Sequence, residues 1–236
     1  MLSIESITLL GIAAGMLHFI GYVAYIGNGD IEPNPVTWLM FAYGTLLLSF
    51  LEWDSDATIG ELFLPTVCSA MAVYVAARCW WRARSKDPTR YWPREWWPSD
   101  WRDRAAFQLD LVLTALYVAA ALLLHNNWID AQAKDIAVIS FLVAANLTTF
   151  SAFFPLIRSV LENPHHERTT PWAIWTCAYG LLGLTTIATQ GGAWTVLIIY
   201  PAQNAILHGT VAYLSRKSRR DHHATGWGAM SERGRT

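Results

Sequence analysis

Apolar residues fill long stretches of this chain, and charge is confined to the breaks between them. A helix that crosses a bilayer needs about 20 apolar residues. Seven runs approach that length: 4–26, 35–53, 59–82, 105–124, 134–161, 170–190 and 192–215. The second is short, and the fourth carries Asp110 one turn inside its start. A soluble helical domain would need a polar face on each helix, and these runs have none. The pattern predicts an all-α membrane protein with seven transmembrane helices.

The runs are not independent. Residues 35–48 (PVTWLMFAYGTLLL) and 171–184 (PWAIWTCAYGLLGL) share six of fourteen positions at an offset of 136, including Pro35 and Pro171, Tyr43 and Tyr179, and Gly44 and Gly180. At that offset Pro65 falls on Pro201. Two echoes in one register point to an internal duplication. Helices one to three form one unit and five to seven the other, with helix four as linker. An odd linker lets both units cross in the same direction, which gives a 3+1+3 parallel repeat. Parallel repeats of this kind recur in transporters, with the substrate site at the repeat interface.

Composition sharpens the picture in two places. The 236 residues are 53% hydrophobic and 15% charged, and the net charge of −1 hides strong clustering. Eight Lys and Arg lie between Arg78 and Arg104, six lie from Arg216 onward, and Arg158 and Arg168 flank the loop between helices five and six. Those are sixteen of seventeen, the exception being Lys134. Short cytoplasmic loops are enriched in Lys and Arg, so with seven spans the chain is expected N-out and C-in. The resulting divisions are 1–82 (repeat one), 83–104 (a Trp/Arg-rich cytoplasmic surface loop), 105–133 (linker helix and outer loop), 134–215 (repeat two) and 216–236 (a disordered basic tail). The start, MLSIESITLL, lacks the positive n-region of a signal peptide, so the first run is expected to remain as a helix. Indoles and arginines in 83–104 suit lipid headgroups. A nucleic-acid partner is not expected. Cys68, Cys79 and Cys177 form neither a disulfide framework nor a zinc pattern. Neither a metal nor a cofactor is expected, and His165 and His166 are too close in sequence to serve one ion well.

The segment FFPLIRSVLENPHHERTTPWAIW, residues 153–175, carries a proline, a basic residue, an Asn-Pro turn, a Glu and a Pro-Trp helix start, at Pro155, Arg158, Asn163–Pro164, Glu167 and Pro171–Trp172. GYVAYIGNGDIEPNPVTW in the first repeat is a weaker copy. With the 3+1+3 arrangement, this resembles the SWEET, SemiSWEET and PQ-loop superfamily, and within it the bacterial SWEET-like proteins of unassigned function. The Pro-Gln dipeptide is absent, since Leu156 follows Pro155, and Ala24 stands where repeat one would have its proline. The resemblance implies a SWEET-like fold, and a sugar or other small polar metabolite as solute. It also implies that Asn204, which follows Pro201, and an aromatic of each repeat's second helix line the site.

The residues themselves offer the following candidates. Pro65, Pro155 and Pro201 read as kinks, either hinges for rocking or static packing features. Asn204 shares a face with Pro201 and His208 and either lines a cavity or makes an interhelical hydrogen bond. Its repeat-one twin is Cys68, with Ser69 beside it. Trp172, Trp175 and Tyr179 share a face of helix six, with Trp38 as counterpart in helix two. Trp175 and Trp38 are the expected pocket members and Trp172 an interfacial anchor. Tyr43 and Tyr179 are also readable as packing around Gly44 and Gly180. His18 lies with Tyr22 on helix one, and Asn146 and Thr149 occupy similar depth in helix five; a buried His either titrates or makes one satisfied bond. Asp110 is expected at the interface.

The expected function is small-solute transport by alternating access between two three-helix bundles. The spans show no carboxylate pair, which points to uniport. The alternative is a non-transporting receptor, scaffold or lipid-binding protein on the same fold. No nucleophile and base are paired at helical spacing, so an enzyme is not expected. The expected location is the bacterial inner membrane as a multi-pass protein, with the bilayer and a small solute as partners and a second copy of the chain allowed.

Overall fold

A computed structural model describes residues 3–27, 35–86, 101–162, 167–192 and 195–233, with the side chains of 35–37, 83, 86, 102, 103, 106, 151, 152, 155 and 218–233 outside the described set. It is all-α. The helices are α1 (Ile4–Gly27), α2 (Pro35–Asp54), α3 (Ile59–Lys86), α4 (Trp101–His125), α5 (Ala131–Glu162), α6 (Thr169–Gln190) and α7 (Ile199–Arg233), with a 3-10 turn at Val196–Ile198 before α7. Among the described residues, five are long and apolar enough to cross a membrane: α1, α3 over Ile59–Arg82, α4 over Phe107–His125, α5 over Ala131–Phe150, and α6.

The distribution of polarity is inverted relative to a soluble protein. Large apolar side chains such as Leu9, Phe19, Val23, Phe50, Val112, Leu122, Leu147 and Ile206 are exposed, whereas His18, Glu52, Glu61, Asp110, Asn146, Thr185 and Asn204 are buried. Water would not tolerate so much apolar surface on a monomer; lipid does. This is a multi-pass helical membrane protein.

Helix ends follow local chemistry. At the start of α3, the Thr58 N–H and hydroxyl both donate to Glu61 Oε2 at 2.8 Å, a capping box that satisfies orphan donors. Asp130 Oδ1 accepts from Ala133 N at 2.7 Å and caps α5. Gly191, at φ 74°, ends α6 in the left-handed conformation.

The packing closes into a ring. α3 lies between α1 and α2, and α7 lies between α5 and α6; α1 packs on α6 and α2 on α5, while α4 sits outside against α5 and, more lightly, α2. Exchanging α1, α2 and α3 for α5, α6 and α7 maps this ring onto itself. Burial repeats in the same way. Gly11, Ala14, Gly15, His18, Tyr22 and Tyr25 are buried in α1, as are Leu142, Ala145, Asn146, Thr149, Phe153 and Leu156 in α5, 131 residues on. In α3 and α7 the buried pattern repeats at 136, with Leu64, Pro65, Cys68, Ala72 and Val75 matching Tyr200, Pro201, Asn204, His208 and Val211. In α2 and α6 it repeats at 137, pairing Trp38 with Trp175, Phe41 with Ala178 and Leu48 with Thr185.

That one-residue slip corrects the reading of the AYG echo. Tyr43 and Tyr179 are matched in sequence but face differently: Tyr179 is buried in the centre, whereas Tyr43 is half-buried and its hydroxyl meets Thr114 of α4 at 2.6 Å. Gly180 has no neighbour within 4 Å of where a Cβ would stand, so it is not a close helix contact; Gly44 instead faces Asp110 and Thr149. The close approach of backbones is at Gly11 and Gly60, where a Cβ on Gly11 would overlap the Gly60 carbonyl.

Two further differences concern α7. It starts at Ile199 and not at 192, so Pro201 falls in its first turn, where a missing N–H costs no helix bond. Pro65, by contrast, is interior to α3. Pro155 lies within the α5 backbone, with its side chain outside the described set. The α7 backbone also continues to Arg233, through most of the segment read as a disordered tail. The expected surface loop is shortened from both sides, by α3 reaching Lys86 and α4 starting at Trp101; residues 87–100, with Trp92, Trp96 and Trp97, lie outside the described residues, as do Asn163 to His166. Lys134, the cation on the otherwise acidic side, pairs with Asp54 at 2.7 Å.

Candidate functional site

Where α1 meets α6, the Trp175 indole lies against the α1 backbone and Nε1 donates to the His18 carbonyl at 2.9 Å. Gly21 makes room: a Cβ there would overlap the indole. The His18 ring then sits among Tyr22, Trp175, Tyr179 and His208, with ring centroids 5.1, 5.7, 5.2 and 6.5 Å away. Neither of its ring nitrogens has a hydrogen-bond partner among the described residues.

Beside this cluster is a narrow central cavity of about 10 Å³, room for a single water. All six ring helices contribute to its wall: Tyr22 from α1; Trp38, Phe41 and Thr45 from α2; Cys68 from α3; Thr149 from α5; Trp172, Trp175 and Tyr179 from α6; Asn204 and His208 from α7. α4 contributes none of these residues. Among the described residues, the wall carries no Lys, Arg, Asp or Glu.

Its polar atoms are mostly anchored to their own helices. Asn204 Nδ2 donates to the Tyr200 carbonyl at 2.9 Å, and the Asn204 carbonyl accepts from His208 Nδ1 at 2.8 Å. The second bond fixes the His208 tautomer with Nδ1 protonated and Nε2 as acceptor. The Tyr22 hydroxyl lies 3.4 Å from Cys68 Sγ, and the Tyr179 hydroxyl is 3.8 Å from the same sulfur and 3.1 Å from the Tyr200 hydroxyl. The site therefore offers acceptors on the α7 side, hydroxyls near Cys68 and aromatic faces between. It suits an uncharged molecule with a flat face and several hydrogen-bonding groups.

Of the residues singled out in the sequence, Trp38, Cys68, Trp175, Tyr179, Asn204 and His208 line this cavity. His18 lies in the aromatic cluster next to it. Ser69 turns aside and donates to the Ala42 carbonyl at 2.9 Å, which ties α3 to α2. Asn146 is buried; its Nδ2 donates to the Leu142 carbonyl, and its Oδ1 is unpaired among the described residues. Trp172 is not the expected interfacial anchor. It is 1% exposed and packs 4.8 Å from Trp175, because its neighbour across the helix junction is α1 and not lipid. Thr45, Phe41 and Thr149 were not singled out for the cavity, and a threonine in an apolar helix gives little signal of which way it faces.

Acidic groups depart most from expectation. Asp110 is 3% exposed and accepts a hydrogen bond from Thr148, so protein covers it, one turn inside the apolar stretch of α4 that starts at Phe107. Glu52 and Glu61 are both buried and are electrostatic neighbours near the α2–α3 turn, with Gln190 Nε2 of α6 3.3 Å from Glu61 Oε1. A carboxylate pair is therefore present between α2 and α3, where the spans were read as having none. Glu167, in the connection into α6, accepts from Tyr25 OH at 3.1 Å and from Trp172 Nε1 at 2.8 Å. Burial pushes its carboxyl up to about 7, against the opposing pull of those two hydrogen bonds.

No protein-family model matches the chain, and no curated protein and no solved structure matches it.

Proposed function

We propose that this protein is a small-solute transporter built as a parallel 3+1+3 repeat of SWEET-like architecture, N-out and C-in, with α1–α3 and α5–α7 rocking about the central cavity. The observation that carries this reading is the cavity wall, to which all six ring helices contribute and the linker helix does not. A site shared by two duplicated halves changes shape whenever the halves move, as alternating access requires. The chemistry of the wall favours an uncharged solute with hydroxyl or amide groups and a stackable face, a sugar or similar polar metabolite. Asn204 and His208 would accept its hydrogen bonds, and Trp38 and Trp175 would flank it. At about 10 Å³ the cavity corresponds to a closed state, and solute entry requires the bundles to part.

A thermal-shift screen of sugars, amino acids, nucleosides and vitamins, run on wild type and Asn204→Ala, identifies a ligand, and proteoliposome flux follows with the hits. The reading predicts flux faster through wild type than through Asn204→Ala. It fails if no solute moves faster than in that control.

The same small volume favours a second reading, a receptor or scaffold that keeps the fold with a sealed centre. Under it, the central residues stay inaccessible to aqueous reagents under all conditions.

A further inference from the structure

A second cavity of about 10 Å³ lies where α2, α4 and α5 meet. Its wall includes Asp110, Thr148, Thr149, Thr45, Gly44 and Phe41. Phe41, Thr45 and Thr149 also line the central cavity, so one layer of side chains separates the two.

The oxygens here are arranged as acceptors. Thr149 Oγ1 donates its proton to the Ala145 carbonyl at 3.0 Å, and Thr45 Oγ1 donates to the Phe41 carbonyl. Thr148 Oγ1 is placed to donate to Asp110 Oδ1 and to the Ala145 carbonyl. A hydroxyl has one proton and two lone pairs. With the Thr45 and Thr149 protons spent on helix carbonyls, lone pairs of those two hydroxyls remain. Asp110 Oδ1 is held by Thr148, while Oδ2 lies 3.7 Å from where a Cβ of Gly44 would stand and has no hydrogen bond among the described residues. No Lys or Arg among the described residues forms an ion pair with Asp110.

An uncompensated carboxylate inside a membrane is expensive. A water-sized space, oxygen-only polar walls and a single negative charge match a small hard cation. One carboxylate neutralises one positive charge, so a monovalent ion leaves the low-dielectric site neutral and a divalent ion does not.

We infer that Asp110, held by Thr148, forms with the hydroxyls of Thr45 and Thr149 a sodium-ion site between α2, α4 and α5, one side-chain layer from the central cavity. The site stands independently of solute movement. Only its consequence, that transport would be sodium-dependent, rests on the transporter reading.

The test is equilibrium binding of radioactive sodium to the purified full chain in detergent, at one pH and at constant ionic strength held with choline chloride. The expected result is saturable binding to one site, displaced by lithium more readily than by potassium. Binding should be lost in Asp110→Asn and weakened about tenfold in Thr45→Val and Thr149→Val, the loss of one ligand contact each. Absence of saturable binding in wild type overturns the assignment, as does binding retained in Asp110→Asn. Thermal stability that follows pH and ignores sodium, with the pH response lost in Asp110→Asn, makes this a proton site and also overturns it. If Asp110→Asn does not yield folded protein, the wild-type measurement and the two Thr variants decide. Sodium binding without any solute flux would leave this site standing and remove the transporter reading; flux without sodium binding would do the reverse.

Discussion

The Trp175 indole reaches the His18 carbonyl because Gly21 has no side chain: Nε1 to O is 2.9 Å, and a methyl on Gly21 would occupy the indole's place. Gly21→Ala forces the ring off α1, breaks that hydrogen bond and disturbs the wall of the central cavity. Overpacking of this kind costs about 1–3 kcal/mol, so the detergent-solubilised variant should melt well below wild type. Gly180→Ala is the matching control. It meets nothing within 4 Å and replaces a poor helix former, so it should leave the melting temperature unchanged or raise it by an amount equivalent to about 0.5–1 kcal/mol.

Cys68 reports on opening. It is buried among the Tyr22 and Tyr179 hydroxyls. With Cys79 and Cys177 replaced by serine, a water-soluble maleimide should label Cys68 slowly, and a bound solute should change that rate. A Cys68 that never reacts in a folded protein, with or without solute, favours the sealed scaffold over the transporter.

Glu167 sets a pH dependence. The folded protein holds its proton up to about pH 7, whereas an unfolded chain holds it only to the ordinary carboxylate range, about 4.3. The folded state binds more protons between those limits, so stability is greatest at low pH, falls as pH rises through that window and levels off above it. The full effect is about 4 kcal/mol. Glu167→Gln keeps the neutral form at every pH and should flatten this part of the melting-temperature profile. Trp172→Phe removes a hydrogen bond that favours the ionised carboxylate, so the upper end of the fall should move to higher pH.

Lys134→Ala should cost little. Its pair with Asp54 is partly exposed, at 17% and 21% for the two side chains, and such pairs contribute about 0–1 kcal/mol. Tyr117 OH also donates to Asp54 at 3.0 Å and keeps that carboxylate partnered. The check is a melting-temperature difference from wild type of a few degrees at most, shrinking further in high salt.

The predicted runs overlap observed helices because apolar length is set by the bilayer, and among the described residues five of those helices are long and apolar enough to cross one. The face of α7 was legible because Asn204 and His208 are polar residues at helical spacing in an apolar run. Trp172 was not: an indole near a helix end is the same letter whether it meets headgroups or another helix. The covering of Asp110 was not legible for a related reason, since distance along α4 from its polar end says nothing about how α2 and α5 pack over it. The AYG echo indicated the duplication, yet its 136-residue register is one residue off the 137 that matches buried positions in α2 and α6. Sequence identity tracks letters, whereas burial tracks which side of the helix has a neighbour.

The place of α4 gives the ring a spine and a fore-edge. Two seams join the halves, α2 with α5 and α1 with α6, and α4 is laid across the first. α4 rests mainly on α5 and only lightly on α2, and the α1–α6 seam is held by its own packing and by clasps such as Trp175 on His18 and Glu167 between Tyr25 and Trp172. Under the proposed transport, α4 would travel with α5, on which it mainly packs, and the binding of the book, Asp110 included, would stay with that half.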